Sequence, residues 1–296
     1  MKDLLVVADE VREALERRDA VVALETTLVA HGFPAGKGVA VALEAERRVR
    51  EAGAVPATVG VLDGRVRVGL DRAQLERFDA GVRKAGPRDI AACAVQGVMG
   101  ATTVGGTLAV CRVAGIGFLG TGGLGGVHRG WTGRPDVSAD LAELARAEVL
   151  VVASGVKSLL DVSATAEALE TLGIPVLGYR TDTMPLFYAA EGGPPVSARV
   201  ESAEEAARVA RAHWRLGRRS ALVLANPPAE PIDVEPLIER AVAAAEAEGI
   251  TGQAVTPFVL DFLHRESGGR TQAVNERLIA DNAALAAETA VAYARA

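Results

Sequence analysis

The sequence predicts a three-layer α/β/α fold with a mainly parallel, mixed central sheet. Two observations carry this. Apolar runs of strand length alternate with segments of helical periodicity along most of the chain. The clearest of these runs show no polar alternation, as strands covered on both faces do not. A third observation agrees: aromatics make up only 4% of the chain, while Ala, Val, Leu and Gly are abundant. Small residues permit close packing of helix on sheet. The chain has 296 residues, 49% hydrophobic and 24% charged, an ordinary globular balance with ample material for a core. No internal repeat or low-complexity segment divides it, so residues 1–296 read as a single domain.

In chain order, residues 5–18 read as an amphipathic helix with Leu5, Val6, Val11, Ala14 and Leu15 on one face. AVVALE (20–25) is a buried strand ending in a carboxylate. A loop follows, then a helix over 39–53 that Gly53 ends. Residues 57–70 form a β-hairpin with Asp63-Gly64 at its turn, and 71–80 are helical. DIAACAVQ (89–96) reads as a strand. A helix starts near the threonines of GATTVGGT (100–107). IGFLGTGGLGGVHRG (116–130) is a strand running into a glycine loop. Ser138 caps a helix starting SADLAELARAE. VLVVASG (149–155) is the plainest buried strand, followed by a helix over 159–172 and a strand in IPVLGYR (174–180). The Pro-rich stretches EGGPPVS and NPPAEPIDVEP are surface loops. The remainder, 232–295, is largely helical.

A net charge of -6 excludes a general nucleic-acid binder, which needs a basic field, but leaves room for a small anionic ligand. Cys93 and Cys111 sit in apolar surroundings with no metal-ligand spacing, so both are expected as buried, reduced thiols. The first residues lack the apolar core and cleavage site of a signal peptide, and no apolar run reaches the ~20 residues that span a bilayer. The expected setting is cytoplasmic, without membrane partners.

Several residues can carry chemistry. In an open, parallel sheet, ligands bind beyond the carboxyl ends of the strands, and Glu25, Lys157 and the 120–130 loop all follow predicted strands. A lysine after VLVVASGV is either one that snorkels to water or a partly desolvated amine able to attack a carbonyl. Glu25 is either a cap or ion-pair partner, or an acid whose burial favours its protonated form. Asp136 and Asp140 either favour the N-terminus of the next helix or include a ligand for a hard cation. GTGGLGGVHRG, with His128, and GATTVGGT are candidate cradles for an oxyanion. Neither matches the P-loop pattern.

Taken together, these segments resemble one family, the pseudouridine-5'-phosphate glycosidases, also called the indigoidine synthase A-like family. The matching stretches are ALETTLVAHGFP (23–34), RDIAACAVQGVMGATTVGGT (88–107), GIGFLGTGGLGGVHRG (115–130), DVSADLAELAR (136–146), 151–188 and 254–290, in the family's order. The resemblance implies reversible cleavage of the carbon–carbon glycosidic bond of pseudouridine 5'-phosphate to uracil and ribose 5-phosphate, through a lysine–sugar Schiff base. It implies Glu25 as proton donor and Lys157 as nucleophile. It places Lys84, Val104 (by its backbone), Ser138, Ala139, Asp140 and Asn275 at the substrate, and His128 is added as a candidate phosphate contact. It makes Asp136 the ligand of one Mn²⁺ per subunit and the assembly a homotrimer. Two other readings stay open: an aldolase-type lyase using Lys157 on another sugar phosphate, and a non-catalytic sugar-phosphate binder.

Overall fold

The computed structural model describes residues 4–34, 36–133, 136–157, 159–250 and 254–295. The chain opens with β1 (Leu5–Val7), α1 (Asp9–Arg17), β2 (Val21–Glu25), α2 (Thr27–His31), α3 (Lys37–Glu51), β3 (Val55–Leu62) and β4 (Arg65–Val68). The middle runs α4 (Arg72–Leu75), β5 (Arg83–Ala85), α5 (Ile90–Gln96), β6 (Gly100–Thr102), α6 (Val104–Ala114), β7 (Phe118–Gly120), α7 (Ala139–Leu144) and β8 (Leu150–Ala153). It closes with α8 (Val162–Thr171), β9 (Val176–Tyr179), β10 (Ala198–Val200), α9 (Ala203–Arg215), β11 (Leu222–Ala225), α10 (Glu235–Ala247), α11 (Val255–Glu266) and α12 (Arg270–Arg295).

The strands form one mixed sheet in the order β1-β4-β3-β2-β7-β8-β11-β9-β10, with β6 joining β3 and β5. Pairing is parallel except at β3–β4 and β3–β6 among the described residues. Such a sheet needs cover on both faces. Helix α12 lies across β2, β7 and β8 between α3 and α9, while α6 packs on β2 and β3 with α7 beside it. Strands β2, β8 and β11 are buried along their whole length, consistent with their unbroken apolar runs. The fold class is as the alternation predicts.

Some elements differ from the sequence reading. Residues 5–18 are not one helix: Leu5–Val7 pair in parallel with Val66–Val68, and the helix begins at Asp9. The segment 89–96 is a helix, not a strand. A short apolar run fits either period; here Gly97 closes the helix in the left-handed region, at φ 66°. Only Arg72–Leu75 of 71–80 is α-helical, held by an Asp71–Gln74 capping box. The Asp63-Gly64 hairpin turn is present, with φ 52° and 71° as its type requires. Ser138 caps α7, and both cysteines are free and buried. Helices α10, α11 and α12 fill the predicted helical stretch, in which residues 251–253 lie outside the described residues. Among the described residues no helix is long and apolar enough to cross a membrane.

Candidate active site

Three strands deliver the charged centre. Glu25 is the last residue of β2 and is buried. Lys84 is the middle residue of β5, in register with Ala101 of β6, two short strands the sequence reading lacked. Lys157 follows β8; its amide donates to the Leu124 carbonyl at 3.0 Å, and Leu124 bridges Val156, so the loops after β7 and β8 run together. Glu25, Lys84 and Lys157 all border one cleft beyond the strand ends, where ligands bind in such sheets.

Burial favours the neutral form of each ionisable group here. It raises the Glu25 carboxyl above its ordinary range, with Asp140 adding to the effect; Lys157, a 2.5 Å hydrogen bond from the Thr121 hydroxyl and Lys84 oppose it. It pushes Lys84 down to about 8, helped by Lys157 and opposed by Asp140 and Glu25. Lys157, expected to be partly desolvated, is half-buried, as is Lys84. His128 is also lowered, first by burial and then by both lysines, with Asp136 opposing.

Several backbone amides of the two glycine-rich stretches are already engaged within the protein. In the 120–130 loop the amides of Thr121, Leu124, Gly125, Val127 and His128 all donate within the protein. Its glycines are imposed by packing: a Cβ on Gly123 would lie 2.5 Å from the Phe187 ring, and one on Gly126 would lie 2.4 Å from the Thr165 hydroxyl. In GATTVGGT the Thr102 hydroxyl donates to the Val59 carbonyl at 2.7 Å and accepts from Thr107, while Thr103 caps α6 by accepting from the Gly106 amide. These bonds fasten β6 and α6 under the cleft.

Asp140 joins the two stretches. Its carboxylate accepts from the Gly105 amide at 2.7 Å and the Gly125 amide at 2.9 Å. A Cβ on Gly125 would stand 2.6 Å from that carboxylate and 2.4 Å from the Ser138 hydroxyl. Asp140 borders the cleft as expected, yet its hydrogen bonds go to the scaffold. Val104 is buried as the first residue of α6; its side chain belongs to the core, and neighbouring Thr103 borders the cleft.

The cleft has two lobes that share Glu25, Thr27, Lys84 and Lys157. One is polar, bordered by His128, Asp136, Ser138, Ala139, Arg88 and Arg146. The other is mainly apolar, bordered by Leu28, Phe33, Phe187, Pro257, Leu260 and Ile279, with Asn275 and His31 among them. The sequence-predicted residues thus converge; Val104, expected to act by its backbone, opens α6 directly after Thr103, which borders the cleft. For a metal ion, Asp136 is half-exposed and His128 Nδ1 lies 4.0 Å from its Oδ2. The described residues hold no cluster of three or more His, Cys, Asp or Glu that could bind one. The donor set fits a largely hydrated hard ion on one carboxylate, not a closed protein cage.

The sequence reading passed over three residues. Thr121 donates to Glu25. Asn282, fully buried on α12, donates to the Thr121 carbonyl at 2.8 Å and to the Ser154 hydroxyl, and accepts from Asn226. His31 ends α2 at the apolar lobe. A polar residue inside an apolar helix pattern signals Asn282; nothing local to the sequence distinguishes the other two.

The family model described as Indigoidine synthase A like protein matches residues 10–292. The chain is 50% identical to the pseudouridine-5'-phosphate glycosidase of Streptomyces griseus, over 98% of this chain and 93% of the relative. It is 41% identical to the enzyme of the same name from Escherichia coli K12, over 99% and 96%. A crystal structure of prealnumycin C-glycosynthase AlnA in complex with ribulose 5-phosphate superposes with a TM-score of 0.89 at 40% identity, covering 99% of this chain and 97% of that one. An indigoidine synthase A-like protein from Thermotoga maritima gives 0.88 at 36%, covering 97% and 96%. This chain belongs to the indigoidine synthase A-like family.

Proposed function

We propose that this protein reversibly cleaves the carbon–carbon glycosidic bond of pseudouridine 5'-phosphate to uracil and ribose 5-phosphate. One observation carries the reading: a buried carboxyl and two lysines sit where a polar lobe meets an apolar one, in a chain half identical to a glycosidase of that name. A phosphorylated sugar suits the polar lobe and a flat base the apolar one. The scissile bond then lies beside Glu25 and Lys157.

An ordinary glycosidase protonates the oxygen of its leaving group. Here the leaving group is a carbon, C5 of uracil, so the sugar must supply an electron sink. The protonated Glu25 carboxyl gives its proton to the ribose ring oxygen as the C1'–O4' bond breaks, and the Lys157 amine bonds to C1'. A proton then reaches uracil C5. The C1'–C5 electron pair remains with the base, and the Lys157 nitrogen lone pair forms the C=N bond of a Schiff base. Water hydrolyses that adduct to ribose 5-phosphate and the free lysine. Lys84, Ser138 and Ala139 hold the sugar phosphate with His128, Asp140 braces the backbone around it, and Asn275 borders the base. Asp136 would hold a hydrated Mn²⁺, which supplies positive charge in the polar lobe.

We further read the chain as one domain of a cytoplasmic homotrimer; the two free, buried thiols agree with a reducing compartment. Light scattering giving a mass other than three chains removes the trimer. The activity is tested by following the absorbance of pseudouridine 5'-phosphate with purified protein, with and without Mn²⁺. Loss of the chromophore with release of uracil is expected; an unchanged spectrum refutes the function. The AlnA likeness favours one second reading, carbon-bond formation with another acceptor. A panel of acceptors offered with ribose 5-phosphate separates the two.

A further inference from the structure

His31 borders the apolar lobe with one ring nitrogen unpartnered. Its Nε2 is buried and meets no hydrogen-bond partner among the described residues. The nearby Val82 backbone favours a hydrogen on the ring. In the neutral ring one nitrogen carries that hydrogen and the other keeps a lone pair. Burial, and then the charge of Lys84, disfavour a second proton. The ring is therefore neutral, and His31 borders the apolar lobe. Its neighbours there are Leu28, Phe33, Phe187, Pro257, Leu260 and Ile279. A buried acceptor with no donor is unfavourable among such residues, so a bound ligand is expected to bring one.

We propose that His31 reads the base: Nε2 accepts a hydrogen bond from a ring N–H of uracil. This rests on the function proposed above. Uracil linked through C5 keeps both N1–H and N3–H, whereas uracil linked through N1 keeps only N3–H. Where it meets N1–H, such an acceptor distinguishes a carbon-linked base from a nitrogen-linked one; where it meets N3–H, it orients the base. The sugar phosphate, in the opposite lobe, does not reach it.

The test runs in the direction of synthesis, from uracil and ribose 5-phosphate. His31→Phe should raise KM for uracil about tenfold or more, as loss of one specific hydrogen bond does. KM for ribose 5-phosphate, and borohydride labelling of Lys157 by that sugar, should stay within about twofold. His31→Gln, whose amide oxygen again offers an acceptor, should restore uracil KM to within about threefold of wild type. Wild type should also use at least one of 1-methyluracil and 3-methyluracil about tenfold less well than uracil, a measurement that needs no variant. An unchanged uracil KM in active His31→Phe, or equal use of all three bases by wild type, overturns the role of His31 alone. If wild type consumes no uracil at all, the function itself fails and this inference falls with it.

Discussion

Replacing Asp140 by Asn tests whether this residue braces the site or contacts the substrate. The carboxylate holds two backbone amides, Gly105 at 2.7 Å and Gly125 at 2.9 Å, from two different loops. Asn keeps one acceptor oxygen and turns an NH₂ toward the second amide, so one hydrogen bond is lost and two donors face each other. A hydrogen bond to a charged group contributes about 1.5–3 kcal/mol, and an unsatisfied buried amide costs about 1–3 kcal/mol. These overlap, giving a net loss of roughly 2–4 kcal/mol. At about 2 °C per kcal/mol for a chain of this size, Tm should fall by roughly 4–8 °C. Gly125 lies next to Leu124, the residue that receives the Lys157 amide. Lys157 should shift with it, and kcat should fall on the order of ten- to a hundredfold. Calorimetry and steady-state kinetics on the same preparation read both quantities. If Tm stays within about 1 °C of wild type while only KM rises, Asp140 contacts substrate and is not a brace.

Three other outcomes follow from the same geometry. Lys84, pushed down to about 8, is charged below that pH and neutral above it, so KM for the sugar phosphate should climb through pH 8; in Lys84→Arg, which stays charged, that climb should vanish, and its persistence would assign it elsewhere. Burial raises the Glu25 carboxyl, so between the unfolded and folded values the native state holds more protons and stability falls as pH rises. Glu25→Gln should therefore lower kcat by a factor of about 10² or more yet raise Tm at neutral pH, a gain that disappears once pH drops below the ordinary carboxylate range; a lower Tm at pH 7 contradicts the buried acid. Asn282→Ala strands the Thr121 carbonyl and the Asn226 amide, and should cost roughly 2–4 kcal/mol in denaturant unfolding, against less than about 0.5 kcal/mol for an unimportant site.

Much of this was legible in the sequence because a buried parallel strand has a distinctive pattern. AVVALE and VLVVASG ended where their charged residues had to emerge, and so the positions of Glu25 and Lys157 followed. Lys84 did not follow, because β5 and β6 are three-residue strands defined by their partners and not by any period of their own. DIAACAVQ failed for the opposite reason: its apolar residues satisfy two periods, and only Gly97 at its end decides. The glycine loops carry a second constraint that no short pattern shows. Their glycines are also required sterically, by Phe187, Thr165 and Asp140, all distant in sequence. The residue roles rest on the family likeness, since position alone favoured a solvent-seeking lysine over a nucleophile at Lys157.

The two-lobed cleft divides its walls between different parts of the chain. The polar lobe is built mainly by the segment from Lys84 to Leu160, with Glu25 and Thr27, whereas the apolar lobe adds walls from α2, α11 and α12. Substitutions at Leu28, Phe33, Pro257 or Leu260, which border the apolar lobe alone, can therefore remodel it while leaving the polar lobe untouched. That separation makes the scaffold evolvable: one lineage can keep the carbon-bond chemistry and change its partner through a few exchanges around α2 and α11. Directed evolution toward new C-glycosides has the same short list of positions to vary.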